Sequence, residues 1–205
     1  RTLASASVFF FTFCSDNNSM ENKELPSKNH IQTLYESYNG YLNEILNNIT
    51  DVLTYNLELS SRPSFKKRVK SFKSYYKKIL RLKSEEAVSA KSLICLSDMM
   101  GIRVICPFLE DIDVAVEQVK NAFLVVEVER KGADKSFREF GYESVHVLVK
   151  IPENCMPELT GKYKDLAPLP NDAVCEIQIR TILQDAWAEV EHELIYKTEF
   201  TPLDI

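Results

Sequence analysis

The feature that most constrains the fold of this sequence is an apolar periodicity that runs without proline from residue 28 to residue 59. Apolar side chains recur there at intervals of three and four residues, which places them on one stripe of an α-helix. The pattern predicts one long helix or two successive helices. Because such a stripe is buried against another layer of secondary structure, the elements that follow decide the fold class.

Those later elements alternate between short β-branched runs and amphipathic helices. Pro63 ends the first helical region, and a short extended or turn segment follows it. We predict helices at 71–82, 111–122 and 181–197, and strands at 101–107, 123–128, 142–151 and 174–179. Residues 152–172 are rich in Pro, Glu, Lys and Asp and are expected to form a surface excursion. This order predicts an α+β (α/β) domain whose sheet needs cover on its faces.

Charge is unevenly distributed along the chain. The 205 residues carry a net charge of −5, yet ten basic residues and no acidic one lie between Arg62 and Lys83. The net charge alone argues against a polyanionic partner, whereas the local charge favours one. The five glycines are not spaced as in P-loop or dinucleotide-binding turns, so any bound phosphate must be held by side chains.

The cysteines and the amino terminus bear on compartment and domain organisation. Five cysteines without a C-x-x-C pair predict a reduced, cytoplasmic protein with buried thiols. Residues 1–19 include an apolar run shorter than a membrane-spanning helix, and we expect them to be upstream or non-native sequence outside the fold. Residues 20–205 then form a single domain, with N-terminal helices at 28–59 and a core at 62–197. No membrane partner is expected.

A polar residue at every second position marks two of the predicted strands. In the last strand Glu176, Gln178 and Arg180 alternate with apolar residues, and in the strand from residue 142 the set is Tyr142, Ser144 and His146. Alternate residues of a strand share one face of the sheet. The two rows therefore predict either a ligand site or a solvated sheet face, and the pattern alone does not choose between them.

Asp98 lies just before the first predicted strand of the sheet. It is either a turn or cap residue, or one of two carboxylates that, with Glu176 across the sheet, hold Mg²⁺. Mg²⁺ takes one or two carboxylates and completes its coordination with phosphate oxygens and water, which would suit a nucleoside triphosphate. Three histidines, scattered along the chain, argue against a zinc site.

Two helices contribute further candidate surfaces. Ser74, Lys78 and Arg81 fall on one helical face that would suit a polyphosphate tail, although a basic helix is also typical of a solvated or nucleic-acid-facing surface. In the last helix an apolar stripe is predicted to be core; it consists of Leu183, Trp187, Val190 and Leu194. Glu191 and His192 lie on an adjoining face, as a surface pair or close to a substrate.

Five separated motifs, taken together, resemble the synthetase domain of the RelA/SpoT family. They are RVKxxxSxxxKxxR from Arg68, DMMGIRV from Asp98, FGYESVH from Phe140, EIQIRT from Glu176 and WAEVEHxxxYK from Trp187, and they occur in the family's order within residues 62–197. The resemblance implies a nucleotidyltransferase-like mixed sheet flanked by helices. It also implies transfer of the β,γ-pyrophosphoryl group of ATP to the 3′-hydroxyl of GDP or GTP, which makes (p)ppGpp.

The resemblance also implies a role for each matching residue. Asp98 corresponds to the Mg²⁺-binding aspartate, and Glu176 to the acid that helps bind metal or activates the 3′-hydroxyl. Arg68 and Arg103 would sandwich adenine, near the set that would contact the ATP phosphates: Lys70, Ser74, Lys78 and Arg81. Tyr142 would stack on guanine, with the acceptor site completed by His146, Gln178, Ala188 and Glu191. Arg138 stands in the loop where many members carry a lysine, and is taken as its substitute.

The chain resembles the small, single-function members of the family and is expected to be shortened after Lys197, before helices that support homo-oligomers in such members. No hydrolase motif with paired histidine and aspartate is present. Two other functions stay open: pyrophosphorylation of tRNA 3′ ends, and a non-catalytic nucleotide- or RNA-binding module that uses the basic helix.

Overall fold

The computed structural model describes residues 27–81, 93–132 and 144–198, the last eight of these through their backbone alone. Four helices are present in this part of the chain: α1 (Lys28–Asn56), α2 (Phe72–Arg81), α3 (Asp111–Ala122) and α4 (Ile182–Thr198). Five strands accompany them: β1 (Ser64–Val69), β2 (Met100–Cys106), β3 (Val125–Lys131), β4 (Ser144–Lys150) and β5 (Val174–Thr181). The predictions made for residues 1–19, Arg138 and Tyr142 lie outside the described residues.

The strands form one mixed sheet in the order β1-β2-β5-β4-β3. Strands β2 and β5 are parallel neighbours, and the other pairs are antiparallel. Because a parallel pair begins at the same edge of the sheet, residues at the amino-terminal ends of β2 and β5 lie close together. The predicted α+β class with a mixed sheet is confirmed.

Helix α1 is one continuous helix, which decides between the two predictions for residues 28–59. It begins after Ser27, whose hydroxyl accepts a hydrogen bond from the backbone N–H of His30 at 3.3 Å, and it ends where Leu57 becomes extended. Four consecutive stripe positions, Leu42, Ile45, Leu46 and Ile49, are completely buried. Burial of each such side chain contributes about 1.5–3 kcal/mol, so this stripe is a main anchor of the fold.

One face of the sheet is apolar and carries the core. Helix α1 contacts β1, β2 and α3, and α3 in turn contacts β4 and β5. The inward-facing side chains Ile102, Val104, Val147, Ile177 and Ile179 are completely buried in one cluster with the helices. The apolar half of each predicted alternation is therefore confirmed as core, and the polar half faces the opposite side.

Strand β1 is more regular than its sequence indicated. The segment after Pro63, expected to be short extended or turn structure, pairs with β2 along its whole length, from Ser64 with Ile105 to Val69 with Met100. Its burial follows no simple alternation, since Phe65 and Val69 are half-buried while Lys66, Lys67 and Arg68 are exposed. An edge strand has a partner on one side only, so its pattern carries a weaker signal than that of a central strand.

The prediction that residues 152–172 form only a surface excursion is partly wrong. Cys155, Tyr163 and Leu169 are buried within it, held by two short 3₁₀ turns at Glu153–Cys155 and Gly161–Tyr163. Tyr163 meets the ring of Tyr41 edge-on, with 5.1 Å between ring centroids. The segment packs on α1 through a few apolar side chains. Their spacing along the sequence is irregular, so no helix or strand periodicity predicts their burial.

The prediction that the apolar stripe of the last helix is core is wrong for the residues whose side chains are described. Leu183 is 81% exposed, Trp187 44% and Val190 48%. Helix α4 instead directs Asp185, which is 5% exposed, towards the sheet. The sheet face that it covers is the polar one, so ion pairing, rather than apolar burial, sets the rotation of this helix.

The thiols agree with the sequence prediction. Cys106, Cys155 and Cys175 are buried, Cys95 is half-buried, and these four are free thiols. Burial raises the pKa of the Cys106 thiol to about 11 and that of Cys95 to about 12. Within the ranges that the structure describes, no helix is both long and apolar enough to cross a membrane.

Candidate active site

The polar face of the sheet forms rows that cross several strands. Paired residues of neighbouring strands point to the same side, so the register places side chains from different strands beside one another. One row passes from Arg68 on β1 through Gly101 on β2 to Glu176 on β5. The next row contains Lys66, Arg103, Gln178 and His146. Five of the residues predicted for the site thus lie on one face: Arg68, Arg103, His146, Glu176 and Gln178.

The β4 end of this face is sheltered, whereas the β1 end, with Lys66 and Arg68, is exposed. His146 is 8% exposed and Ser144 is 2% exposed, although both are polar. Buried polar side chains are retained in proteins where they find partners, and a solvated face would leave them open to water. The burial therefore favours the ligand-site interpretation of the two polar rows over the solvated-face interpretation.

Glu176 is held between an imidazole and an amide. Its Oε1 lies 2.7 Å from Nδ1 of His146, and its Oε2 accepts a hydrogen bond of 2.8 Å from Nε2 of Gln178. Burial works to raise the pKa of the Glu176 carboxyl, but the hydrogen bond and charge of His146 and the hydrogen bond of Gln178 outweigh it and lower the pKa. The carboxylate is ionised at neutral pH and is available to accept a proton.

Asp98 is held between two ammonium groups. It lies two residues before β2, and its Oδ2 and Oδ1 are 2.7 Å from Lys70 Nζ and 3.0 Å from Lys78 Nζ, respectively. Burial works to raise the pKa of Asp98, but the hydrogen bonds and positive charges of the two lysines outweigh it and lower the pKa. Asp98 lies in the turn that leads into β2, where the backbone N–H of Met99 donates to the carbonyl of Leu96 at 3.1 Å, so the turn prediction is confirmed. Its side chain also belongs to an ion-pair cluster with the two lysines.

Helix α2, the basic helix, places one of its cations, Lys78, against Asp98. Helix α2 buries Tyr75 and Ile79, and this orients Lys78 towards Asp98. Ser74 and Arg81 lie exposed on the same helix, as does Arg68 on the neighbouring strand β1. Exposed cations next to an ion-paired carboxylate are what a bound polyanion would meet.

Two acidic residues of α4 belong to this site and were missed by the sequence prediction. The carboxylate of Asp185 forms ion pairs with Lys66 at 2.7 Å, Arg103 at 3.4 Å and Arg180 at 3.5 Å. Glu189 forms an ion pair with the same Arg103. Their spacing of four residues places both on one helical face, which was the available signal. The apolar stripe of α4 is a stronger periodic signal than two acidic residues, and it predicts the wrong buried face for this helix.

The remaining predicted residues are placed only in part. Ala188 is half-buried on α4, and Glu191 is described by its backbone alone. Arg138 and Tyr142 lie outside the described residues, so the predicted guanine-stacking position is not placed. Of the acceptor set, the structure brings together His146 and Gln178, both around Glu176.

The site offers magnesium two carboxylate ligands, Asp98 and Glu176. No cluster of three or more His, Cys, Asp or Glu suited to a metal occurs among the described residues, so a protein-only cage is absent there. Asp98 Oδ1 is buried and meets the Lys78 ammonium at 3.0 Å without a hydrogen bond of regular geometry. Asp98 and Glu176 lie at the amino-terminal ends of β2 and β5. Ionised carboxylates are the hard oxygen ligands that Mg²⁺ prefers, and it takes one or two of them.

Comparison with known proteins places this geometry in a family. The sequence model described as "Region found in RelA / SpoT proteins" matches residues 67–201. The GTP pyrophosphokinase YwaC of Bacillus subtilis (strain 168) is 34% identical over 132 residues, which are 64% of this chain and 57% of YwaC. The chain spans little more than half the length of the curated relatives it matches.

Solved structures share the fold. Small alarmone synthetase 1 from Bacillus subtilis is 27% identical, with a TM-score of 0.56 over 83% of this chain and 81% of that one. The same protein bound to its product pppGpp gives 26% identity and a TM-score of 0.53, over 81% of each chain. Its AMPCPP complex gives 26% identity and a TM-score of 0.52, over 83% of this chain and 80% of that one.

Proposed function

This chain belongs to the RelA/SpoT family, and we propose that it is a GTP pyrophosphokinase, which transfers the β,γ-pyrophosphoryl group of ATP to the 3′-hydroxyl of GDP or GTP. The observation that carries the proposal is the sheltered pair of carboxylates, Asp98 among lysines and Glu176 beside His146 and Gln178. The similarity to YwaC and to a small alarmone synthetase solved with pppGpp and with AMPCPP supports it.

ATP would bind on the side of the sheet formed by β1, α2 and β2, which we call the donor half. Lys70 and Lys78 are already held next to each other by Asp98, and Ser74, Arg81 and Arg68 are exposed around them. Lysine side chains rotate freely about four carbons, so the two ammonium groups can turn from Asp98 to phosphate oxygens. Arg68 and Arg103 would hold the adenine ring between guanidinium planes.

Mg²⁺ would be held by Asp98 and Glu176, and would neutralise charge on the transferred phosphates when bound. Binding and orientation of the triphosphate fall to the side chains of the donor half. Lys70 and Lys78 attract and orient the triphosphate, and orientation alone supplies a large part of the acceleration in phosphoryl transfer. In the free protein the two lysines lower the pKa of the Asp98 carboxyl, so the carboxylate is ionised at neutral pH and is available as a hard oxygen ligand.

The guanosine acceptor would bind on the side formed by β4 and β5, which we call the acceptor half. Its 3′-oxygen bonds to the β-phosphorus of ATP while the bond between that phosphorus and the oxygen of the α-phosphate breaks, and AMP leaves. The hydroxyl proton passes to the ionised carboxylate of Glu176. His146 and Gln178 keep that carboxylate ionised and aimed at the polar face until the proton arrives.

A turnover assay tests the proposal directly. Protein incubated with γ-labelled ATP, Mg²⁺ and either GDP or GTP is expected to give labelled guanosine tetra- or pentaphosphate, separated by thin-layer chromatography. Parallel reactions with tRNA, and without magnesium in the presence of chelator, identify the acceptor and the metal requirement. Label in the tRNA band alone, or no labelled product with any acceptor, would overturn the proposal.

A further inference from the structure

Arg180 is a buried arginine on the polar face to which the mechanism above gives no task. It occupies β5 two residues after Gln178, and it is 1% exposed. Its Nη2 donates a hydrogen bond of 2.6 Å to Oε1 of Gln178, and its Nη1 lies 3.5 Å from Oδ1 of Asp185. A buried arginine is costly to desolvate, so its partners indicate what its burial achieves.

The contacts of Gln178 admit only one orientation of its side-chain amide. A guanidinium has N–H donors and no acceptor, whereas an ionised carboxylate accepts and has no donor. Gln178 lies between the two, so its oxygen must face Arg180 and its NH₂ group must face Glu176. A reversed amide would place nitrogen against the guanidinium and oxygen against the carboxylate, and both hydrogen bonds would be lost.

We propose that Arg180 is a positioning residue that fixes the amide of Gln178 and, through it, the carboxylate of Glu176. The inference rests on the proposed function, because it takes Glu176 as the group that receives the hydroxyl proton. In this proposal Arg180 acts through its hydrogen bond to Gln178 and not by contact with a substrate, and its loss leaves the amide free to turn.

Asp185 explains how Arg180 itself is held. The carboxylate of Asp185 meets Arg180, Arg103 and Lys66, which come from three neighbouring strands. The contacts thus run without a break from His146 through Glu176, Gln178, Arg180 and Asp185 to Arg103, so the acceptor half and the donor half share one array. When Arg180 is removed, Asp185 still pairs with Lys66 at 2.7 Å, which limits the cost to folding.

The test is a double-mutant cycle on kcat with Arg180→Met and Gln178→Met. Arg180→Met is expected to lower kcat about tenfold while the KM for ATP changes less than about twofold, since supporting residues of this kind typically cost such factors. In the Gln178→Met background the same change is expected to lower kcat less than about twofold, because the group through which Arg180 acts is already absent.

Two further variants keep the cycle decisive. Arg130→Met is the matched control, because Arg130 lies on β3 of the same sheet with its side chain 53% exposed and paired with Asp113; it is expected to leave kcat unchanged. Thermal unfolding is recorded for every variant. If Arg180→Met does not fold, Arg180→Lys replaces it in the same cycle. An unchanged kcat, or an equal loss in both backgrounds, would overturn the inference.

A measurement without turnover separates this inference from the proposed function. In ¹⁵N-labelled protein the side-chain NH₂ signals of Gln178, assigned by their loss in Gln178→Met, are expected to show one proton shifted downfield by the Glu176 carboxylate. Arg180→Met is expected to return it to the position of a free amide. If the wild type makes no product, the proposed function fails and these signals still decide the orientation; free-amide values in the wild type would overturn it.

Discussion

The two carboxylates of the site differ in what holds them. Asp98 is ionised because two lysines lie against it, whereas Glu176 is ionised beside an imidazole and an amide. The partners of Asp98 are the ammonium groups of two long, flexible lysine side chains, whereas His146 and Gln178 lie on the paired strands β4 and β5. The lysine ammonium groups can rotate towards a bound polyphosphate, whereas His146 and Gln178 are held in place by the paired strands β4 and β5.

This difference assigns the two halves different work. The donor half has charge that can be redistributed when a triphosphate binds, so changes there should appear mainly in the KM for ATP. The acceptor half has a fixed geometry around one proton acceptor, so changes there should appear mainly in kcat. Substitutions in each half are therefore expected to differ in which kinetic constant they change.

The largest effect is expected for Glu176→Gln. The substitution keeps the shape of the side chain but removes the proton acceptor, so kcat should fall by about 10²–10⁴-fold while the thermal unfolding midpoint changes little. Steady-state assays with labelled ATP measure it. Glu129→Gln is the control, because Glu129 pairs in register with His146 at the exposed edge strand and its side chain is 56% exposed. Equal losses for the two variants would contradict the assignment.

Lys70→Met and Lys78→Met should have the next largest effect, on ATP affinity. A hydrogen bond to a charged group is worth about 1.5–3 kcal/mol, so each change should raise the KM for ATP roughly 10- to 100-fold with a smaller effect on kcat. Lys67→Met is the matched control on β1, where Lys67 donates instead to Asn47 on α1 at 2.7 Å. A loss confined to kcat would show that the lysines do not serve ATP binding.

Ile177→Val should change stability and leave catalysis alone. Ile177 is completely buried and lies between Glu176 and Gln178, but it points to the opposite face of the sheet. Loss of one methylene should cost about 0.5–1.5 kcal/mol of unfolding free energy, measured by urea titration. A change in kcat larger than about twofold would mean that the two faces are not independent.

The smallest effect is expected in the acid dependence of stability. The pKa of Asp98 is lowered in the folded state, so its ionised form stabilises the protein above the unfolded pKa of about 3.9, and this contribution is lost as the pH falls through the folded value. The difference in unfolding free energy between wild type and Asp98→Asn should therefore shrink from pH 6 to pH 3. A constant difference across that range would contradict the ion-pair assignment.

Much of the scaffold could be predicted from local pattern. Helix α3 occupies the predicted residues 111–122, and α1 follows the long apolar periodicity. The alternation in β5 separated Ile177, on the core face, from Glu176, on the site face. These predictions were confirmed because each depends on a period that one element shows by itself.

The errors share a cause. Strand β1 is half-polar at the sheet edge, residues 152–172 bury a few side chains without a period, and α4 exposes its apolar stripe. In each case the neighbour across space decides burial, and the neighbour is distant in sequence. Asp185 was missed for this reason, since its three cationic partners lie on β1, β2 and β5.

The residue pattern was enough to predict the four helices and the central strands, the apolar side of each central strand, and the family that the motifs resemble, but not the pairing of β1. The folded arrangement was needed to show that Asp98 lies between Lys70 and Lys78, that His146 and Gln178 flank Glu176, and that α4 directs its carboxylates to the sheet. Periodicity is a property of one segment, whereas an ion pair requires two segments, and their meeting is fixed by strand register and helix rotation.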